Sequence, residues 1–143
     1  MTIARLMSNR DAGDVVTCTT GAVMRDAVAM LAEKRIGALP VMEGERVAGI
    51  FSERDVIYCL AKQGPSCLDR PVGEVMTAPA ITVDGTETVD RALALMTKRR
   101  IRHLPVVEDS KLVGFVSIGD LVKYRFDEIE REAAAMRDYI QTA

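Results

Sequence analysis

Tryptophan is absent, and histidine occurs once, at position 103. With a single imidazole and three cysteines in unpaired spacing (Cys18, Cys59, Cys67), neither a tetrahedral zinc site nor a disulfide framework finds its ligands. No apolar run approaches the ~20 residues of a membrane span, and the start, Met1-Thr2-Ile3-Ala4-Arg5-Leu6, is too short and mixed for a signal-peptide core. Positive charge is not in excess: 19 Lys and Arg face 21 Asp and Glu, a net charge of −2. That balance argues against a nucleic-acid binder, despite the basic cluster Lys98-Arg99-Arg100-Ile101-Arg102, and three Tyr with three Phe supply little for base stacking. There is no Gly-rich phosphate loop, no recurring carboxylate pair and no nucleophile with its base, so enzyme chemistry has no footing. The expectation is a reduced, cytoplasmic protein that is neither membrane-embedded nor catalytic, and needs no metal or catalytic cofactor.

What is present is repetition. The stretch Gly49-Ile50-Phe51-Ser52-Glu53-Arg54-Asp55 returns as Gly114-Phe115-Val116-Ser117-Ile118-Gly119-Asp120, a shift of 65 residues (114 − 49 and 120 − 55). The same shift aligns residues 15–60 with 80–125 without a gap. It sets Leu39-Pro40-Val41 on Leu104-Pro105-Val106 and Arg35-Ile36 on Arg100-Ile101. A hydrophobic content of 48% over 143 residues is globular, and units this small must share a core.

Each copy reads as β-α-β-β-α. Val15-Val16-Thr17 and Ile81-Thr82-Val83 are short strands. Helices follow over 23–34, where Val23, Ala27, Met30 and Leu31 keep helical spacing, and after Thr88, which can cap. The first copy has Thr20-Gly21-Ala22 in place of Gly85-Thr86-Glu87, so its helix start is less clearly capped. Hairpins come next, then helices opened by Ser52 and Ser117. Pro40 cannot donate to a ladder and is expected at a strand start or an edge. The expected division is 1–70, a first repeat with its lead-in; 71–126, a second repeat; and 127–143, a helical tail. An apolar stripe through Leu121, Val122, Phe126, Ile129, Ala133, Met136 and Ile140 belongs either to a helix packed on the parent domain or frayed at its tip, or to one that meets a second subunit.

Ser52 and Asp55, like Ser117 and Asp120, permit two accounts. They can cap a helix, contributing ~1 kcal/mol, or they can hold a ligand at a helix start that favours anions. The whole pattern, Arg-Ile-x-x-Leu-Pro-Val followed by Gly-x-x-Ser-x-x-Asp in both copies, resembles the cystathionine-β-synthase (CBS) domain family over roughly residues 5–126. The resemblance implies an α+β module of two repeats about a pseudo-twofold axis (a Bateman module), here stand-alone with a C-terminal helix extension, and clefts between the repeats. It implies an adenosyl ligand: AMP, ADP, ATP, S-adenosylmethionine or a dinucleotide such as NAD. Asp55 and Asp120 would hold ribose hydroxyls, and Ser52 and Ser117 would lie near phosphate. Adenine would rest at Val16-Thr17 and Ile36, Gly37, Ala38 and Leu39, or at Ile81-Thr82 and residues 101–104, among them Ile101 and Leu104. Arg54 would mark the first cleft, and Arg102 with His103 the second, against phosphates.

The function expected is a regulatory module that senses adenine nucleotides, signalling through a homodimer or a separate protein partner. The alternative is a ligand-independent interaction module whose Ser and Asp residues only cap helices.

Overall fold

The computed structural model describes residues 1–10 and 12–142. After a short helix α1 (Ile3–Leu6), the first repeat runs through β1 (Cys18–Thr19), α2 (Met24–Lys34), β2 (Ala38–Glu43), β3 (Arg46–Ser52) and α3 (Glu53–Gln63). A 3-10 segment, Gly64–Asp69, leads to the second repeat: α4 (Val72–Val75), α5 (Val89–Arg99), β4 (His103–Glu108), β5 (Lys111–Ser117) and α6 (Ile118–Thr142). In the first repeat β2 lies between β1 and β3, parallel to the former and antiparallel to the latter. In the second, the place of β1 is taken by one parallel bridge, Val83 to Val106. The hairpin registers coincide: Ala38 faces Ser52 as His103 faces Ser117, and both ladders slip one residue after Val41 and Val106.

The local grammar explains these boundaries. The Thr88 hydroxyl accepts the Arg91 N–H at 3.1 Å to open α5, whereas α2 begins after Val23 with no side-chain cap. Both α2 and α5 end on an arginine in left-handed conformation, Arg35 at φ 53° and Arg100 at φ 55°, where glycine is the usual choice. Pro40 departs from expectation: it sits third in the central strand, fully enclosed. Its equivalent shows why this is tolerated. The Pro105 carbonyl accepts from the Val83 N–H at 3.1 Å, so the missing proline donor faces the same side, where the neighbouring segment has run out of ladder.

Two apolar cores form, and each is closed from the other end of the chain. Cys18, Met24, Ala27, Leu31, Leu39, Val41 and Phe51 pack with Cys67 and Val72. Val83, Val89, Ala92, Met96, Leu104, Val106, Val116 and Leu121 pack with Ile3. The N-terminal lead-in thus belongs to the core of the second repeat, and α4 to that of the first. The Ile3 and Ala4 N–H groups donate to Glu87 and Gly85 carbonyls, and those of Val72 and Gly73 to Ala22 and Thr20. These are equivalent bonds, offset by 69 residues on the lead-in side (72 − 3 and 73 − 4). Full burial of Ile3 stabilises the contact by roughly 1.5–3 kcal/mol.

Close approach fixes one residue type in each copy. A Cβ on Gly49 would stand 2.6 Å from the Thr77 carbonyl oxygen, and one on Gly114 would collide with the Met7 sulfur. The glycine that opens each repeated stretch therefore makes room for the crossing lead-in.

Along α6 the C-terminal stripe is buried only at its start. Leu121 is buried, but Phe126 is 62% exposed, Met136 61% and Ile140 66%. On α3, Ile57 and Tyr58 are exposed to the same degree. Among the described residues nothing covers the stripe beyond its first turn.

Candidate functional site

Two clefts open where the repeats meet, one in front of each repeated Ser-x-x-Asp turn. The first, about 300 Å³, holds Ser52, Glu53, Arg54 and Asp55 from one repeat and Arg100, Ile101, Arg102 and His103 from the other, with Thr77 from the lead-in. The second, about 460 Å³, holds Ser117 and Asp120 with Arg35, Ile36, Gly37 and Ala38 across from them, and Met7, Arg10 and Val16 from the N-terminal segment. The pseudo-twofold places the chain after α5 beside the start of α3, and the chain after α2 beside the start of α6.

This crossing corrects the assignment of the arginines. Arg54 and Arg102 do not mark different clefts. Both line the cleft of Asp55, and a guanidinium N–H of Arg54 donates to the Arg100 carbonyl at 3.2 Å. His103 borders both clefts. Of the residues expected around adenine, Val16, Ile36, Gly37, Ala38 and Ile101 line a cleft. Leu39 and Leu104 are wholly buried in the two cores, because alternation along β2 and β4 turns them inward. Ile81 packs against the second core, Thr82 is exposed and Thr17 half-buried, and none of the three is among the cleft-lining residues.

The two carboxylates are held alike at one oxygen and differently at the other. The Ser52 N–H donates to Asp55 Oδ2 at 2.9 Å, and the Asp55 N–H returns a bond to Ser52 Oγ at 3.4 Å, a complete capping box. The Ser117 N–H reaches Asp120 Oδ2 at 2.9 Å, and the Asp120 N–H reaches Ser117 Oγ at 3.1 Å. A lead-in then supplies a further donor. For Asp55 it is the Thr77 hydroxyl, at 2.9 Å from Oδ1. For Asp120 it is Arg10, whose fork meets Oδ1 at 3.1 Å and Oδ2 at 3.3 Å. Burial alone would raise the Asp120 pKa. The Arg10 hydrogen bonds and charge, with the Ser117 bonds, outweigh it and hold the carboxyl below its ordinary range.

His103 lies flat against Phe115, ring centroids 5.3 Å apart and planes 13° from parallel. Burial pushes its pKa below the ordinary histidine value. Asp120 and Glu53 pull upward and Arg102 pushes further down, and the net shift is downward. The shift disfavours the charged imidazolium relative to an ordinary histidine.

Arg10, Arg35, Thr77, Tyr58 and Arg100 also line the clefts, beyond the residues expected there. Arg35 and Arg100 carry a usable signal, since they repeat at the shift of 65. Arg10 and Thr77 do not, because each meets its aspartate across the chain, 110 and 22 residues away.

Residues 3–62 and 72–127 match the CBS domain family. The chain is 40% identical over 134 residues to the mitochondrial CBS domain-containing protein CBSX3 of Arabidopsis thaliana, covering 90% of this chain and 65% of that protein. It spans just under two thirds of that relative's length. A CBS-domain containing protein from Agrobacterium tumefaciens has the same fold at a TM-score of 0.80 and 35% identity, over 87% of this chain and 92% of the other. CBSX2, solved in complex with AMP, matches at a TM-score of 0.76 and 25% identity, over 88% and 96% of the two chains.

Proposed function

The chain belongs to the CBS domain family as a tandem pair of repeats, and from that premise we propose that it is a regulatory module that binds adenosyl ligands in the clefts between its repeats. The observation that carries this reading is the doubled turn: two carboxylates, each on the first turn of a helix, each facing a cleft completed by the opposite repeat. The complex of CBSX2 with AMP supports the choice of an adenine nucleotide. AMP, ADP, ATP, NAD and S-adenosylmethionine all present the ribose and adenine such a cleft would recognise. Asp55 and Asp120 would accept ribose hydroxyl protons, Ser52, Ser117 and the helix N–H groups would face phosphate, and Ile36, Val16 and Ile101 would flank the base.

Occupancy would favour one arrangement of the repeats over another, so the output is a population shift and not a reaction. The exposed stripe of α6 with Ile57 and Tyr58 of α3 supports a homodimer as the element that shifts, with a separate protein as its reader. The three cysteines are free and buried, which suits a reducing compartment such as the cytoplasm. The name of CBSX3 places that relative in mitochondria. Among the described residues no helix is long and apolar enough to cross a membrane.

The capping box at Ser52 and Asp55 favours a second reading, in which the turns only start helices. Calorimetric titration of ligand-free protein with AMP, ATP, NAD and S-adenosylmethionine separates the two. Heat with at least one is expected, and silence with all of them sinks the sensor. Asp55→Ala and Asp120→Ala, singly and together, should lower affinity well beyond the roughly fivefold that a lost cap is worth. If melting falls and affinity survives, the turns are caps.

A further inference from the structure

We propose that the two clefts divide the ligand class by phosphate number: the Asp55 cleft takes nucleoside di- and triphosphates, and the Asp120 cleft does not distinguish them from a monophosphate. This rests on the adenosyl-binding reading above.

The difference lies in which cations are free. Arg54, Arg100 and Arg102 meet in the Asp55 cleft against two acids, Glu53 and Asp55. Asp55 is satisfied by neutral donors, the Ser52 N–H and hydroxyl and the Thr77 hydroxyl, so it consumes no guanidinium. Among the described residues none of these three arginines forms an ion pair. One N–H of Arg54 is spent on the Arg100 carbonyl, which ties the two together and leaves the rest of a five-donor fork. Arg100 leaves α5 in left-handed conformation, as Arg35 leaves α2, so this backbone feature is common to both clefts and the difference lies in the number of unpaired guanidiniums.

In the Asp120 cleft two arginines, Arg10 and Arg35, face two acids, Asp14 and Asp120; Arg10 is already clamped on Asp120, so among the described residues Arg35 alone stands outside an ion pair there, against three arginines in the Asp55 cleft. A ribose that takes Asp120 must first displace that guanidinium. His103 borders both clefts and so distinguishes neither.

Each added phosphate brings negative charge and oxygens that match guanidinium forks, so affinity should climb with phosphate number where several such forks stand unpaired together, as Arg54, Arg100 and Arg102 do, and not where a single one, Arg35, faces two acids. The Asp120 cleft is the larger, but volume does not set phosphate number. Both cavities are of nucleoside size, and the three arginines lining the Asp55 cleft are exposed, so their guanidiniums can be reached from solvent.

The test is titration of adenosine, AMP, ADP and ATP, without magnesium, into Asp120→Ala, which leaves the Asp55 cleft intact, and into Asp55→Ala, which leaves the other. Asp120→Ala should bind ATP about tenfold or more tighter than AMP, with the difference shrinking in salt. Adding Arg54→Ala or Arg102→Ala should flatten that gradation. Asp55→Ala should bind AMP and ATP alike. Should an alanine variant fail to fold, Asp→Asn keeps the cap acceptor, and the loss of gradation in Arg102→Ala alone serves instead. A gradation confined to Asp55→Ala, or flat affinities in both, overturns the division while leaving adenosyl binding intact. Absence of binding even by adenosine overturns both.

Discussion

The guanidinium of Arg10 grips both oxygens of Asp120, at 3.1 and 3.3 Å, from 110 residues away in the chain. The same carboxylate is the group placed to hold a ribose, so the lead-in occupies the site it helps to build. Replacing Arg10 with alanine should tighten binding of uncharged adenosine at the Asp120 cleft several-fold, as measured by titration in an Asp55→Ala background. The same change removes a partly exposed ion pair, worth about 0–1 kcal/mol, so melting should hardly move at neutral pH.

The ion pair also has a pH signature. Because the Asp120 pKa is lower folded than unfolded, its contribution is present above the unfolded carboxylate value of about 3.9 and is lost as pH falls through the folded value. Chemical denaturation from pH 6 to pH 3 should show a smaller acid loss for Arg10→Ala than for the parent chain.

His103 offers an unusually clean titration, since it is the sole histidine. Its imidazole resonances should titrate with a midpoint below the ordinary 6.5. A histidine depressed in this way stabilises the fold above its unfolded pKa, and that contribution disappears as acid protonates the ring. Phe115→Leu, which removes the stacked ring, should raise the midpoint if it lets water in.

Gly49 has no room for a side chain. Gly49→Ala drives a Cβ onto the Thr77 carbonyl and the Met76 sulfur, and should cost about 1–3 kcal/mol in equilibrium unfolding. Gly21→Ala, where nothing lies within 4 Å, is the matched control.

Self-association should depend on the uncovered apolar stripe. Phe126→Glu or Ile57→Glu is expected to shift sedimentation toward the monomer while leaving circular dichroism unchanged, because both side chains are 62% exposed. Sedimentation identical to the parent chain at micromolar protein would remove these faces from the assembly.

Much of this was legible in the residues. Repeat, hairpins and capped turns follow from a single shift of 65, and Thr88, Ser52 and Ser117 stand where helices begin. What the residues concealed depends on contacts between distant parts. The lead-ins match at a shift of 69, so aligning the repeats at 65 hides the likeness of Ile3, Leu6 and Met7 to Val72, Val75 and Met76. Arg54 and Arg102 share a cleft because the pseudo-twofold exchanges partners, which no within-repeat comparison can show. Pro40 was misplaced because the rule for proline weighs the strand, whereas what matters is how far its neighbour extends.

The exchanged lead-ins bear on descent. A half-length forebear, with one lead-in and one repeat, could seal its apolar interior only by lending Ile3's counterpart to an identical molecule and borrowing the same in return. Two separate copies would already have made the twofold object, and fusing them end to end would only have converted a bimolecular exchange into an intramolecular one. Once fused, neither half can be deleted, because each carries the other's plug. The copies are then free to diverge in their cations, as Arg102 and Gly37 have, while remaining bound to a common fate.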